Sequence, residues 1–542
     1  MSRVKKILVG ILTFAILSGI SACGRSNNGQ IDERITIRLA APQNAFIENF
    51  DTNLYKLWLE EQTGLRIEMT WLPAEDAERI ALLSLTTGEG LPDAYIGFGS
   101  GNYEIFNNLN LQEYAGWGVI IPLNGLIEQH GVNLKAVWEE LAGYDIKQYM
   151  TLADGMIYYM PGFSSSLITR YRQVMWVNRG WLDVLDIPVP STTAEFRDML
   201  IAFKTLSPNR NWAIDEIPLA GTEEHYGKQV YDFLFNAFIY NDEKHGRLLL
   251  ENGIIGYAPI RDEWREALKY MHGLYQDGLF SPFSFTQSNQ QHKQMANDPR
   301  DILGAFTSPG ITFTVLQNSP EIMRRYVGIG PLTGPGGASY ATVSLPLPKP
   351  NGVITSAAEH PAEVFKLLDL MLSVEASLMG RYGEYGVDWE YAREGDISIY
   401  GTPATIRIIN QIWNKSQNKH LNQIVPYISR PGFSNGVTWE GSTTDGEYMN
   451  AQAAMLYRGH EPVEFVGEIT FAAREECCFP LLRTDLERYL KRNVIAFITG
   501  EQDIESDDDW AEYIGGFYYW GLEHYLEIAQ TAYNRMKRQS VR

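Results

Sequence analysis

Paired carboxylates, adjacent thiols and aromatic rings are the residues in this sequence whose types and spacing could do chemistry. Asp388 with Glu390, and Glu475 with Glu476, bring two acids close along the chain. Glycoside hydrolysis needs such a pair, one carboxyl as acid and the other as base or nucleophile. Among 66 Asp and Glu residues pairs like these arise by chance, and Glu475 and Glu476 would project to opposite faces of a strand. Cys477 and Cys478 are neighbours and Cys23 is the only other cysteine, so neither a zinc set nor a disulfide framework can be built. The adjacent pair is expected as two ordinary, partly buried thiols, with a strained vicinal disulfide as the alternative in an oxidising compartment. The nine histidines are scattered, with none at metal-ligand spacing. H-E-x-x-H and G-x-x-x-x-G-K-[ST] are missing, and no nucleophile elbow is expected, although Gly432-Phe433-Ser434-Asn435-Gly436 has the G-x-S-x-G spacing. Gly334-Pro335-Gly336-Gly337 lacks the lysine and following helix of a phosphate loop and reads as a turn. What remains is recognition without bond-making. Aromatic residues make up 12% of the chain, with 13 Trp and 30 Tyr. Such faces fill cores, and their flat apolar planes with polar edges also suit the C–H faces of sugar rings.

The amino terminus carries an address. Arg3, Lys5 and Lys6 precede an uncharged, mostly apolar run from Ile7 to Ile20, and Ser21-Ala22-Cys23 closes it. The run suits the core of a signal peptide and is short for a membrane span. The cysteine after two small residues resembles a bacterial lipobox. That resemblance implies cleavage after residue 22, lipidation of Cys23 and an extracytoplasmic, membrane-anchored chain, with residues 23–33 as a polar tether. No second long apolar run follows. The net charge of −21 becomes more negative when the three cations of the leader depart. Such acidity argues against nucleic acid and anionic lipid surfaces as partners, since both would be repelled.

Elements to position a site follow at once. Ile35, Ile37 and Leu39 alternate with polar residues as a strand should, Leu54, Leu57 and Trp58 recur at helical spacing, and Gly64 closes that helix. Ile67, Met69 and Trp71 alternate again, residues 76–87 read as a second helix stopped by Gly88, and residues 91–97 as a third strand. Strand, helix, strand, helix, strand implies a parallel α/β sheet, with ligands at the carboxyl ends of the strands, near Ala41–Asn44, Pro73–Ala74 and Gly97–Asn102. Thr192 with Glu195, and Thr484 with Glu487, have the spacing of helix capping boxes. The Gly- and Pro-rich stretch Pro331–Pro350 is the expected crossing between lobes.

Several local segments together resemble one family. Trp58-Leu59-Glu60-Glu61-Gln62-Thr63-Gly64 and Leu91-Pro92-Asp93 look like the first lobe of extracellular solute-binding proteins of family 1, of the LipO lipoprotein type. Trp176-Val177-Asn178-Arg179-Gly180-Trp181-Leu182 resembles the segment where that family's chain first crosses between lobes, and Pro190 to Phe196 follows in the usual place. Leu274 to Leu279, Tyr382 to Trp389, Phe497-Ile498-Thr499-Gly500 and Trp510 with Tyr513 continue the match in order. The resemblance implies a periplasmic-binding-protein-like (type II) α/β fold with two hinged lobes and a helical carboxyl-terminal segment. It implies 34–176 plus 333–385 as the first lobe and 177–332 plus 386–542 as the second. It further implies a carbohydrate, of oligosaccharide size, held in the cleft by hinge closure and delivered to the permease subunits of an ABC importer. Such a receptor is a monomer and no enzyme. The alternatives are a surface-anchored glycoside hydrolase and a receptor for a non-sugar ligand such as a peptide.

Relatives that bind alginate oligosaccharides carry a calcium loop, and Ser207 to Glu216 lies in its place. Asn209, Asn211, Asp215 and Glu216 keep oxygens at matching offsets. Ser207 replaces the first carboxylate and Trp212 the turn glycine. Calcium needs about six to eight oxygens in a tight loop, so a metal-free loop is expected and no cofactor is required. For the cleft, Phe98, Ser100 and Asn102 lie just past a strand end, and Trp176 sits at the first crossing. Trp389, Arg430, Phe433 and Trp439 are the expected contributors from later segments, whereas Trp58 and Trp181 read as packing.

Overall fold

Ile37 and Leu39 turn inward and Arg38 outward along the first strand, Thr36–Pro42. In the computed structural model, residues 34–540 are described apart from 100–102, 104, 153, 212, 225–229, 317–318, 413–414, 470, 472–474 and 476–477. Asn53 caps the first helix, Leu54–Thr63, its side-chain oxygen accepting from the amides of Tyr55 at 3.0 Å and Lys56 at 3.4 Å. Gly64 ends that helix at φ 70°, a conformation that costs glycine nothing. The chain returns as Arg66–Leu72, parallel to the first strand with Ile37 opposite Ile67. Helix Ala77–Thr87 then leads to Ala94–Ile96, parallel on the other side of the first strand.

Later chain completes this sheet. Lys349–Ile354 runs antiparallel between Ala94–Ile96 and Met160–Ser164, and Tyr427–Ser429 adds parallel to Met160–Ser164. The second sheet has four strands in the order Tyr326–Ile329, Val174–Asn178, Leu303–Ser308, Ile217–Leu219. Each sheet lies in its own core. One is built around Leu39, Tyr95, Phe106 and Phe365, the other around Trp176, Trp181, Phe203, Trp264 and Phe306. The chain passes between the sheets through residues 165–173, 330–348 and 430–445, so the expected Pro331–Pro350 crossing is in place.

The lobe boundaries differ from those drawn on the sequence. Val174–Asn178 lies wholly in the second sheet, so the first crossing ends before Trp176. Residues 421–428 pack in the first lobe's core, far along a stretch assigned to the second. The reason is a three-residue edge pairing, too short to leave a periodic signature. Leu378, Tyr382, Trp389, Ile406, Ile408 and Val437 form a small third cluster around a three-stranded sheet.

Of the two expected capping boxes, Thr192 with Glu195 is formed in both directions at the start of helix Thr193–Thr205. Thr484 instead lies inside helix Phe479–Thr499, its hydroxyl donating to the Pro480 carbonyl at 2.8 Å. Pro480 at the first turn already starts that helix, where its missing amide costs nothing. This helix packs on Asp262–Gln276 and on the last helix, Leu522–Ser540. No helix among the described residues is long and apolar enough to cross a membrane.

Candidate functional site

Strand Met160–Ser164 ends where the chain leaves the first lobe, and Lys349–Ile354 begins where it returns. Because these strands are antiparallel neighbours, the carboxyl end of one and the amino end of the other lie together, at the mouth of the sheet. The Ser165 hydroxyl donates to the Ser429 carbonyl at 3.0 Å, and Leu167 N–H to Asn435 Oδ1 at 3.3 Å, which ties the first crossing to the third. A cavity of about 650 Å³ opens against these segments. That lies within the range of about 300–1,000 Å³ usual for small-molecule sites.

The first lobe lends Gly99, Tyr144, Phe163, Asn351, Asn422 and Tyr427 to its wall; the second lends Lys244 and Arg458. Both the first and second crossings line it, through Ser164–Leu167, Arg170, Arg172, Ser344–Leu347 and Lys349. Tyr144 and Phe163 meet edge to face, with ring centroids 5.3 Å apart. At Gly99 the backbone runs so close to the Pro350 carbonyl that a Cβ would collide with it. Asn351 donates through Nδ2 to the Val425 carbonyl, which fixes its amide in the wall. Asn351 Oδ1, Asn422 Oδ1 and Arg170 Nε are buried with no hydrogen-bond partner. A buried polar group left unpaired costs about 1–3 kcal/mol. All three belong to residues of one cavity wall. No Asp or Glu is among the described residues that line this cavity.

The sequence-predicted site residues fall elsewhere. Phe98 is 2% exposed and packs edge-on against Tyr103 at 5.4 Å and Phe106 at 5.6 Å, in the core; its neighbour Gly99 reaches the cavity instead. Ser100 and Asn102, like Cys23 and Cys477, lie outside the described residues. Trp176 is fully buried in the middle of the second sheet, Nε1 donating to the Ser308 carbonyl at 3.1 Å, and forms no cleft floor. Trp389 donates to the Gly383 carbonyl at 3.0 Å and lines a separate apolar hollow with Trp58, Tyr385 and Tyr391. Arg430 is a strut, 4% exposed, bound to Glu140 at 2.8 Å, to Ser377 Oγ at 3.3 Å and to the Leu372 carbonyl at 3.2 Å. Phe433 and Trp439 pack against the small third cluster. Trp181 is packing, as expected, edge-on to Phe203 at 5.0 Å.

The 207–216 loop closes on itself. Asp215 Oδ1 accepts from Asn209 Nδ2 at 3.0 Å and Asn211 Nδ2 at 2.9 Å, and Arg300 stands 3.4 Å from Asp215 Oδ2. Two amide N–H groups and a guanidinium around the sole aspartate are a poor fit to a divalent cation, which needs oxygens facing inward, whereas Glu216 keeps a buried carboxylate oxygen, Oε1, without a hydrogen-bond partner. Asp388 and Glu390 do not assemble a hydrolytic site either, and Glu476 lies outside the described residues. Asp388 is fully buried and bridged by Lys419 at 2.7 Å, while Glu390 holds Arg393 at 2.9 Å and Glu475 holds Arg535 at 2.6 Å.

The residues that line the cavity were missed because they sit on crossings and irregular loops with no periodicity. The usable signal was topological. The Pro331–Pro350 crossing was recognised, and the strand it enters begins at the cavity.

No family model matches the chain. A fructooligosaccharide ABC transporter substrate-binding protein, FusA of Streptococcus pneumoniae, is 27% identical over 399 residues, covering 70% of this chain and 71% of that protein. The solved structure of S. pneumoniae FusA with kestose superposes with TM-score 0.73 at 22% identity, over 93% of this chain and all of that one. This chain has the two-lobe solute-binding-protein fold. An extracellular solute-binding protein from Bifidobacterium longum subsp. infantis superposes with TM-score 0.75 at 19% identity, over 93% of this chain and 99% of that one. In a solute-binding-protein fold the segments linking the lobes are the hinge, and here they also form the cavity's walls.

Proposed function

We propose that this protein is the extracytoplasmic substrate-binding component of an ABC importer, holding an oligosaccharide between its lobes and releasing it unchanged. The observation that carries this reading is the cavity where two separately cored lobes meet, lined by aromatic rings and by polar atoms that no protein group satisfies. Sugar hydroxyls fill both lone pairs of such amide oxygens, and rings cover the sugar's C–H faces. FusA, described as a fructooligosaccharide receptor, supports the choice of ligand. Closure of the lobes expels water, and the ligand shifts the open–closed balance only as far as it prefers the closed form. Cys23, with the apolar run before it, is the lipid attachment point, and the closed monomer is what the permease subunits recognise. The 207–216 loop works without calcium, Arg300 supplying the counter-charge to Asp215.

The test is calorimetric titration of the chain from residue 24 onward, which retains every described element, with kestose and other oligosaccharides. Heat of binding to any of them with no new reducing ends after prolonged incubation is expected. Appearance of cleavage products, or binding of peptides in preference to every glycan, defeats the reading.

A further inference from the structure

The cavity's charge is at odds with the chain's. Acids outnumber bases 66 to 45 overall, yet Arg170, Arg172, Lys244, Lys349 and Arg458 line this wall and no carboxylate joins them among the described lining residues. We propose that the ligand is an acidic oligosaccharide, a short glycan whose carboxylate or sulfate groups are held by these five cations; this rests on the oligosaccharide reading above.

Like charges gathered in one concave site repel, so nearby carboxylates should neutralise them if the protein alone were the answer. It does so poorly. Lys244 reaches Glu468 only at 3.6 Å, and Arg170 reaches Glu461 only at 3.7 Å. Both carboxylates are already engaged. Glu461 accepts from the Tyr171 hydroxyl and from the Gly459 amide at 2.7 Å, and Glu468 accepts from His245 at 3.3 Å. Among the described residues Arg172, Lys349 and Arg458 have no ion pair. Arg172 is nonetheless held in place, its Nε donating to the Thr169 carbonyl at 3.3 Å. Lys349 is open to solvent but walled in by the cleft. That enclosure, followed by the charges of Arg172 and Lys244, holds its ammonium below the ordinary lysine value, against a smaller opposite pull from Glu468. A bound anion would reverse that shift.

The types of residue refine the ligand. Three arginines offer planar forks that match carboxylate or sulfate two oxygens at a time. Asn351 and Asn422 bring side-chain amides to the wall for neutral hydroxyls, and half-buried Tyr144, backed by Phe163, a face for a pyranose ring. A single small anion would leave most of the 650 Å³ unfilled, so several linked sugar units are called for. Cations on the second lobe, on the first crossing and at the start of the first lobe's strand Lys349–Ile354 mean that the acidic groups would help pull the lobes together.

The experiment is titration of the chain from residue 24 with matched probes: trigalacturonate, its uncharged counterpart galactotriose, a chondroitin sulfate tetrasaccharide and kestose. Trigalacturonate marks a carboxylate ligand and the chondroitin fragment a sulfated one. At least one of these charged probes is expected to bind about tenfold or more tighter than either neutral one, with affinity falling as salt rises. Lys349→Gln and Arg172→Gln should each weaken the charged probe about fivefold or more while leaving the melting midpoint in place. If one variant misfolds, the other and the salt series on the parent protein still decide. Galactotriose or kestose binding as tightly as the charged probes, or a salt-independent affinity, overturns the acidic ligand and leaves the oligosaccharide receptor standing. Silence from all four probes removes both.

Discussion

Replacing Arg247 with methionine should unfasten the second lobe more than any surface change could. Its side chain is 2% exposed, with Nη1 2.5 Å from Asp232 Oδ1 and Nε 3.3 Å from Glu487. Asn241 Oδ1 also accepts from Nη1, and the guanidinium stands 5.6 Å from the Trp264 ring centroid. Methionine keeps most of the stem's bulk but deletes the charge, leaving Asp232, 1% exposed, with its Asn241 Nδ2 bond at 2.9 Å as its remaining side-chain donor. Two unit charges about 4 Å apart attract by about 4 kcal/mol at an effective dielectric of about 20. Removing one partner of a buried pair costs about 3–5 kcal/mol by experience, so the two figures agree. Burial already lifts the Asp232 carboxyl above its ordinary value of 3.8 and Arg247 works against that lift. Without Arg247 the folded-state value rises further, so the variant gains relative stability in acid and loses it as pH rises above the unfolded carboxylate range. Urea unfolding followed by tryptophan fluorescence should show a loss of about 3–4 kcal/mol at pH 8 and a smaller one at pH 5. Adding Asp232→Asn to Arg247→Met should restore at least half of it, because the more deeply buried of the two carboxylates is then no longer stranded. A loss under about 1 kcal/mol, or a double variant worse than the single, would show that the pair is not the strut described here.

Three further outcomes follow from particular contacts. Burial works against charging His245, but the Asp242 and Glu468 carboxylates outweigh it and hold the imidazolium up to about 9. Its contribution is therefore complete below the unfolded value of 6.5 and fades as pH rises through 9; His245→Gln should destabilise the protein at pH 6 and match the parent at pH 10 in urea midpoints. Thr192→Ala removes the hydroxyl that accepts from the Glu195 amide at 3.1 Å and should cost about 1 kcal/mol in the same assay. Chelator should leave the thermal midpoint unchanged, while Arg300→Ala should lower it slightly; a chelator-dependent midpoint would mean that the 207–216 loop holds a metal.

How much was legible depended on repetition. Ile37, Leu39 and Ile67 alternate, and Gly64 and Gly88 punctuate, so the first strand–helix–strand units could be read directly. The Thr192 capping box is local chemistry and was equally plain. Thr484 has the same spacing, yet Pro480 starts its helix earlier, and two competing local signals cannot be ranked without the packing that selects one. Trp176, Trp389 and Arg430 were conspicuous by type, and conspicuous types are what cores and struts also use. The cavity is made by Tyr144, Asn351, Asn422 and Lys349, ordinary residues brought together by a strand that returns from 185 positions downstream of the one it joins. Pairing at that distance leaves no trace in a window of ten or twenty residues.

The first sheet also governs the order in which the molecule can be finished. Its strands come from residues 36–96, 160–164, 349–354 and 427–429, so a chain emerging from its amino end carries an open, unpaired edge at Ala94–Ile96 until more than 250 further residues have followed. Such late, long-distance closure makes for slow assembly and a prolonged window for mispairing. Truncations before Ser429 should therefore yield aggregates rather than a smaller folded protein.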